Sequence, residues 1–120
     1  MMMMRKGLLA LAGLMGAAGV AAAAAGAHLG YANFPVAAQF LMLHAVAVAA
    51  IVAIRPFGGR LLDVAAAILV LGTLSFSGGL MSTDAFGAPP FPHAAPFGGT
   101  ALILGWLVVA AGAFTLRRSA

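Results

Sequence analysis

Histidine and acidic side chains are the residues of this chain whose chemistry could support a metal or haem site. His28, His93 and Asp84 fall near the ends of apolar segments, where three such ligands could in principle hold zinc. Their spacing matches no zinc-ligand motif, and solvated loop residues explain them equally well. His28 and His44 are poorly placed for bis-histidine haem ligation, because one lies at the end of a segment and the other well inside the next. The chain has no cysteine, which excludes thiolate metal sites and disulfides, and we expect neither metal nor cofactor.

His44 is the ionisable side chain that lies deepest in an apolar segment, about eight residues from its start. Such a group is a functional candidate because its burial is costly. One interpretation is structural, with the neutral imidazole donating to a backbone carbonyl or hydroxyl on a neighbouring helix. The other is a proton-responsive or ligand-contacting site. A cavity shared with Ser75, Ser77 and Thr73 would favour transport, whereas a dry contact with a single backbone carbonyl would favour the structural interpretation.

The remaining polar residues give no catalytic constellation. No Ser/His/Asp triad, carboxylate pair or phosphate-binding loop can be assembled from the chain. Asp63 lies close to Arg60 at the start of an apolar segment, where a first-turn carboxylate suits the helix dipole. We therefore expect a protein that is not an enzyme. The net charge of +4 comes from six scattered basic residues, which form no face for nucleic acid.

The composition is that of a membrane protein. The 120-residue chain is 64% hydrophobic and 7% charged with a mean hydropathy of +1.13, whereas soluble domains carry roughly a quarter charged residues. Four continuous apolar runs of about 20 residues lack the alternation of strands and have the length of membrane-spanning helices. We predict an all-α fold, a single polytopic domain over residues 1–120 with four transmembrane helices. The predicted spans are about 7–27, 36–54, 61–81 and 99–116, with a proline-rich outer loop over 82–98.

The basic residues predict the orientation of these spans, because Lys and Arg accumulate on the cytoplasmic side of membrane proteins. All of them precede the first span, follow the fourth, or lie between the second and third: Arg5, Lys6, Arg55, Arg60, Arg117 and Arg118. Both termini are therefore predicted to be cytoplasmic. The alternative is that the first span is a cleaved signal peptide, since Ala25-Gly26-Ala27 resembles a cleavage site. This apolar run is longer than is usual in such signals, so we expect the span to be retained.

Small residues supply the predicted helix contacts, because lipid gives helices no hydrophobic drive to associate. Glycines recur at helical spacing in three places: Gly13, Gly16 and Gly19; Gly26 and Gly30; and Gly105 and Gly112. They serve packing within the bundle or, alternatively, a dimerisation surface. The adjacent Gly78 and Gly79 weaken their helix next to two serines, which predicts a kink or irregular turn there. We expect Trp106 to be interfacial or to serve packing rather than to stack on a ligand.

Five short segments, taken in order, carry a resemblance to a known family. They are Gly26-Ala27-His28, FLMLHAVAV over 40–48, LGTLSFSGGL over 71–80, Pro96-Phe97-Gly98-Gly99, and Gly105-Trp106. In their order and spacing the chain resembles the YgdD/YwdK-type family, a domain-of-unknown-function family of small bacterial membrane proteins with four helices. The resemblance implies a multi-pass protein of the bacterial inner membrane. It places these residues on the family's characteristic positions: His28, His44, Ser77, Gly78, Pro96, Gly98, Gly99, Gly105 and Trp106.

The chain departs from the family ahead of the histidine in span two. Where the family usually has Tyr-Gln, this chain has Phe40 and Leu41, and the nearby Gln39 is out of register. If the Tyr and Gln of the family hydrogen-bond to the histidine, His44 has lost those partners. The resemblance implies no particular activity.

These observations define the candidate residues and three classes of function. The candidate polar positions are His28, His44, Ser75 and Ser77, and the candidate packing positions are Gly26, Gly78, Gly79, Gly98, Gly99, Gly105 and Trp106. We expect a non-enzymatic accessory or structural component of the cell membrane or of a membrane complex. The alternative is a small-solute or ion transporter, which would need a polar path and therefore an oligomer. The expected partners are the lipid bilayer and either further copies of the chain or a larger membrane complex, with no nucleic acid.

Overall fold

The computed structural model of the chain describes residues 2–119, which form four α-helices. They are α1 (Met2–Leu29), α2 (Phe34–Ile54), α3 (Arg60–Phe86) and α4 (Ala94–Gly112), with short 3-10 turns at Arg55–Phe57 and Ala113–Thr115. All four helices are long and apolar enough to cross a membrane, which indicates a multi-pass membrane protein. The predictions of an all-α fold and of four apolar helices are confirmed.

The helix ends follow the glycines and prolines of the sequence. Gly30 follows α1 with a φ of +70°, a backbone conformation that favours glycine, and its N–H donates to the carbonyl of Gly26 at 3.1 Å. Pro35 occupies the first turn of α2, where its missing N–H leaves no helical hydrogen bond unmade. Pro56 lies in the 3-10 turn that ends this helix. Short connections result, so consecutive helices run antiparallel.

The third helix is longer than the sequence predicted, and the proline-rich loop that follows it is correspondingly shorter. The helix runs without interruption through residues 75–79, so no irregular turn divides it there. It ends at Gly87, whose φ is +82° and whose N–H donates to the carbonyl of Thr83 at 3.0 Å. The loop therefore spans residues 87–93 rather than 82–98. Pro96 lies in the first turn of α4, where a proline is tolerated because that turn's N–H groups have no helical partner.

The helices pack in chain order, α1 on α2, α2 on α3 and α3 on α4. The central pair, α2 and α3, is the more buried, and α1 and α4 lie outside it. The core between the helices is built from aliphatic side chains and alanines, among them Met15, Leu41, Val48, Leu62, Leu69 and Leu102. The longest dimension of the molecule is 48 Å, close to the roughly 40–45 Å thickness of a bilayer with its headgroups.

Glycines at a spacing of seven residues bring α4 against α3. Gly98, Gly105 and Gly112 are all buried on one face of α4. A Cβ at Gly105 would lie 2.8 Å from Cδ2 of Leu69, and one at Gly98 would overlap the backbone of Phe76. At Gly98 the obstructing atoms are backbone, so this position can hold only glycine at the present helix separation, whereas at Gly105 and Gly112 a Cβ would have to displace a leucine side chain. The face shared by Gly105 and Gly112 extends by one further heptad to Gly98.

The glycines of α1 divide into those that touch α2 and those that do not. A Cβ at Gly19 would lie 2.5 Å from Cγ of Met42, and one at Gly26 would lie 2.9 Å from Cβ of Phe34. Gly13 faces open space, so the three-residue repeat of glycines is not a continuous contact. Gly26 packs against α2, whereas Gly30 ends the helix.

The six basic residues gather at one end of the bundle. Arg5 lies against the last turns of α2, and Arg117 donates from its guanidinium to the carbonyls of Pro56 and Gly58 at 3.1 and 3.2 Å. Both ends of the described chain thus lie beside the turn between α2 and α3, at the end opposite the loop over residues 87–93.

Candidate functional site

The candidate site lies at the middle of the bundle, where His44 of α2 meets Trp106 of α4. His44 is 2% exposed, and its Nδ1 lies 2.8 Å from the carbonyl oxygen of Phe40. Its Nε2 lies 3.1 Å from the indole Nε1 of Trp106. A carbonyl can only accept and an indole N–H can only donate, so Nδ1 carries the proton and Nε2 accepts. Both nitrogens of a neutral imidazole are thereby satisfied inside the bundle.

Helical spacing and close packing together place these groups. Phe40 precedes His44 by one turn of α2, which puts its carbonyl beside the imidazole. Gly105 lets α4 approach α3 closely, and Trp106 then reaches across to α2. The Phe40 and His44 rings stack with centroids 5.6 Å apart, and the ring of Phe76 from α3 lies 4.4 Å from that of Phe40. Three helices thus contribute to one aromatic cluster.

A cavity of about 390 Å³ lies beside this cluster. Its walls come from α2, α3 and α4 and consist of Phe40, Leu43, His44, Phe76, Gly99, Leu102, Ile103 and Trp106. The polar side-chain atoms of this lining belong to His44 and Trp106, which are hydrogen-bonded to each other. The cavity therefore offers van der Waals and aromatic contact to an occupant, with little capacity for hydrogen bonding.

The hydroxyl groups of α3 are not part of this cavity. Ser77 is buried and donates to the carbonyl of Ala37 on α2 at 2.9 Å. Ser75 donates to the carbonyl of Ala94 on α4 at 2.7 Å. Thr73 donates within its own helix to the carbonyl of Leu69 at 2.6 Å. Ser75 and Ser77 thus link α3 to both of its neighbours.

At the end of the bundle opposite the basic residues, Asp84 holds the start of α2. Its carboxylate accepts from both the backbone N–H and the side-chain amide of Asn33, each at 2.8 Å. His28 is exposed in the last turn of α1, and His93 precedes α4 with a φ of +62°. Within residues 2–119 no three His, Cys, Asp or Glu side chains lie close enough together to hold a metal ion. The sequence offered no signal that Asn33 and Asp84 would meet.

At the basic end, Asp63 pairs with Arg55 rather than with Arg60. Nε of Arg55 lies 2.8 Å from Oδ1 of Asp63, and the guanidinium also donates to the carbonyl of Gly58 at 2.8 Å. Arg55 is 6% exposed, whereas Arg60 is exposed to the surroundings. Asp63 lies in the first turn of α3, where a carboxylate suits the helix dipole as expected, and nothing in the sequence indicated its ion pair with Arg55. The turn between α2 and α3 folds Arg55 back onto the first turn of α3.

The remaining candidate packing positions lie in three different surroundings. Gly79 is buried, and a Cβ there would lie 2.9 Å from the backbone nitrogen of Ala95. Gly99 lines the cavity and would tolerate a Cβ at 3.7 Å from the ring of Phe76. Gly78 has no atom within 4 Å of its Cβ position, so it makes no close helix contact within this chain.

The bond from Trp106 to His44 is the feature of the site that sequence reasoning missed. Trp106 was expected to be interfacial or to serve packing, and it is 42% exposed while its indole N–H points inward. The one available signal was the resemblance, which placed both residues on characteristic positions. His44 keeps two hydrogen-bond partners although Phe40 and Leu41 replace the usual Tyr-Gln.

Comparison with known proteins identifies the family. No match was found among curated proteins or among solved structures. A family model matches residues 15–99, a segment that contains His28, His44, Ser77 and Gly98 and ends before Trp106. The match confirms the resemblance to a domain-of-unknown-function family and is consistent with the YgdD/YwdK-type name. Because the matched segment covers more than half of the chain, the protein belongs to the family described as protein of unknown function (DUF423).

Proposed function

We propose that this protein is a non-enzymatic accessory or structural component of the cell membrane or of a membrane complex. One observation carries the proposal: among the described residues, every buried polar side-chain atom has a hydrogen-bond partner. Polar groups buried in a membrane protein are costly, and those of transporters and channels line the substrate or ion path. A bundle whose buried polar groups are all engaged in its own helix contacts is suited to a scaffold.

The surroundings of His44 favour this proposal over transport. His44 caps a backbone carbonyl and accepts from Trp106, and the hydroxyls of Thr73, Ser75 and Ser77 bond elsewhere. The cavity beside His44 is therefore lined by apolar groups and satisfied rings. Transport by an oligomer, the alternative, would need neighbouring copies to supply the polar path.

The outer helices provide the surfaces for an accessory role. Leu14 and Val20 of α1 and Ile103 and Leu107 of α4 are all more than 60% exposed, on helices that pack on one side only. Such faces contact lipid or another membrane protein. We propose that a larger membrane complex binds to the exposed face of α1 or of α4.

Native mass spectrometry of the tagged protein, gently extracted from its own membrane, tests the accessory role. We expect a different polypeptide to be released with the chain in a fixed ratio. Leu14→Trp on α1 and Leu107→Trp on α4 are a matched pair, and loss of the partner from one of them alone would locate the contact. Bare monomers or homo-oligomers in every preparation would contradict the accessory role.

For location, we propose the bacterial inner membrane with both termini in the cytoplasm. Support comes from the family resemblance and from the six basic residues at one end of the bundle. The chain has no cysteine, so single-cysteine variants can be labelled without background. A membrane-impermeant maleimide added outside the cell should label Ala88→Cys in the outer loop. It should not label Ser119→Cys until the membrane has been permeabilised. The reverse pattern would overturn the orientation.

A further inference from the structure

A second cavity, of about 180 Å³, lies at the basic end of the bundle between α1 and α2. One face of α1 lines it with Met2, Arg5, Lys6 and Leu9, and Val52 of α2 completes it. These α1 positions are separated by three, one and three residues, the spacing of a single helix face. The cavity therefore has two cationic side chains beside an apolar floor.

The cations of this cavity have no acidic side chain in the protein to neutralise them. The chain contains two acidic residues in all. Asp63 is engaged by Arg55 in a 2.8 Å ion pair, and Asp84 binds Asn33 at the opposite end of the bundle. Arg5 and Lys6 thus carry about two positive charges that an anion from outside the chain can neutralise.

We propose that this cavity binds one anionic phospholipid. The phosphate accepts from Arg5, whose guanidinium suits two phosphate oxygens at once, and from Lys6. An acyl chain lies on Leu9 and Val52, which are part of the same cavity. Basic pockets between membrane helices are suited to anionic headgroups. A free phosphate would make no contact with the apolar floor of the cavity. A neutral phospholipid would not neutralise the charges of Arg5 and Lys6. The inference requires the helices to lie in a membrane but does not depend on an accessory role.

The test is native mass spectrometry of the full chain, purified in a nonionic detergent and offered phosphatidylglycerol or phosphatidylcholine with identical acyl chains. We expect one phosphatidylglycerol to be retained about tenfold more strongly than phosphatidylcholine. The double variant Arg5→Gln/Lys6→Gln should lose that preference. Arg60→Gln/Arg118→Gln is the matched control, because it removes the same charge from the same end of the bundle and should change retention less than about twofold.

Three results would overturn the proposal. Equal loss in the two double variants would show diffuse attraction to the basic end rather than a site. Equal retention of the two lipids by the unaltered protein would show that the charges do not select the headgroup, and this comparison needs no variant to fold. Displacement of phosphatidylglycerol by glycerol phosphate at equal concentration would show an anion site without an acyl-chain contact. Because the isolated chain is used, none of these results bears on the accessory role.

Discussion

Removal of the indole N–H from Trp106 tests the structural role of the central pair. Trp106→Phe keeps an aromatic ring but leaves Nε2 of His44 without its donor at a position that is 2% exposed. A buried acceptor left unsatisfied costs about 1–3 kcal/mol in proteins generally. Measured hydrogen bonds between membrane helices average about 0.6 kcal/mol and reach about 1.7 kcal/mol. We expect Trp106→Phe to lower the free energy of unfolding by about 1–2 kcal/mol.

His44→Leu should lower stability by a similar amount, but for a different reason. Leucine restores apolar packing, and the carbonyl of Phe40 keeps its ordinary helical hydrogen bond. The loss then falls on the indole N–H of Trp106, which has no partner left in the cluster. If His44→Leu leaves the free energy of unfolding unchanged, the role of His44 as a link between helices is refuted.

The double variant separates the hydrogen bond from the packing of the two rings. With both partners removed, neither polar group is left unsatisfied, so the two losses should not add. We expect a coupling free energy of about 0.6–1.7 kcal/mol between the two substitutions. The measurement is equilibrium unfolding in mixed micelles followed by far-ultraviolet circular dichroism, since Trp106→Phe removes the chain's single tryptophan.

Leu107→Ala provides the matched control for this cycle. Leu107 is the next residue of α4, is 62% exposed and does not line the cavity. Combined with His44→Leu it should give additive losses, within about 0.3 kcal/mol. Additive losses for the Trp106 and His44 pair as well would refute the hydrogen bond as a source of stability, whatever the single variants show.

Three further substitutions test the other links of the bundle by the same unfolding measurement. Gly98→Ala places a Cβ 2.6 and 2.8 Å from backbone atoms of α3, which cannot rotate away, so we expect a loss of about 2–3 kcal/mol. The control Gly78→Ala meets no atom within 4 Å and should change stability by less than about 0.5 kcal/mol. Ser77→Ala removes a buried bond to α2 and should cost about 0.6–1.7 kcal/mol. Asp63→Asn removes the charge that faces a buried guanidinium and should cost about 1–3 kcal/mol, whereas Arg60→Gln should be close to neutral.

The existence of the four helices could be predicted because few backbone conformations are stable inside a membrane. Each polar backbone group must be satisfied within its own segment, so an apolar run of sufficient length becomes a helix. The ends were less predictable. Ser82, Thr83 and Asp84 are polar and were assigned to a loop, yet α3 continues through them to Phe86. Hydropathy reports where apolar side chains stop, and a helix does not have to stop there.

Helix partners could be predicted only where small residues mark a face. Gly105 and Gly112 were assigned to one face of α4 from their spacing, and both lie against α3. Gly13 and Gly78 are of the same residue type but face open space. In a helix that is apolar on every side, a buried face and a lipid-facing face have similar side chains. The identity of a glycine therefore does not show whether a second helix lies against it.

Polar links between helices were the hardest features to predict, and they occur at three depths of the bundle. Asp84 holds the start of α2 at the end opposite the basic residues, Trp106 binds His44 at the middle, and Asp63 binds Arg55 at the basic end. Glycine faces allow two helices to approach each other closely. Because these surfaces are smooth, they do not by themselves fix how each helix is rotated about its axis or shifted along its neighbour. A hydrogen bond formed in hydrocarbon has few competing partners, so the link between Trp106 and His44 selects one register for α2 and α4. That link therefore helps to specify the arrangement that the glycines make possible.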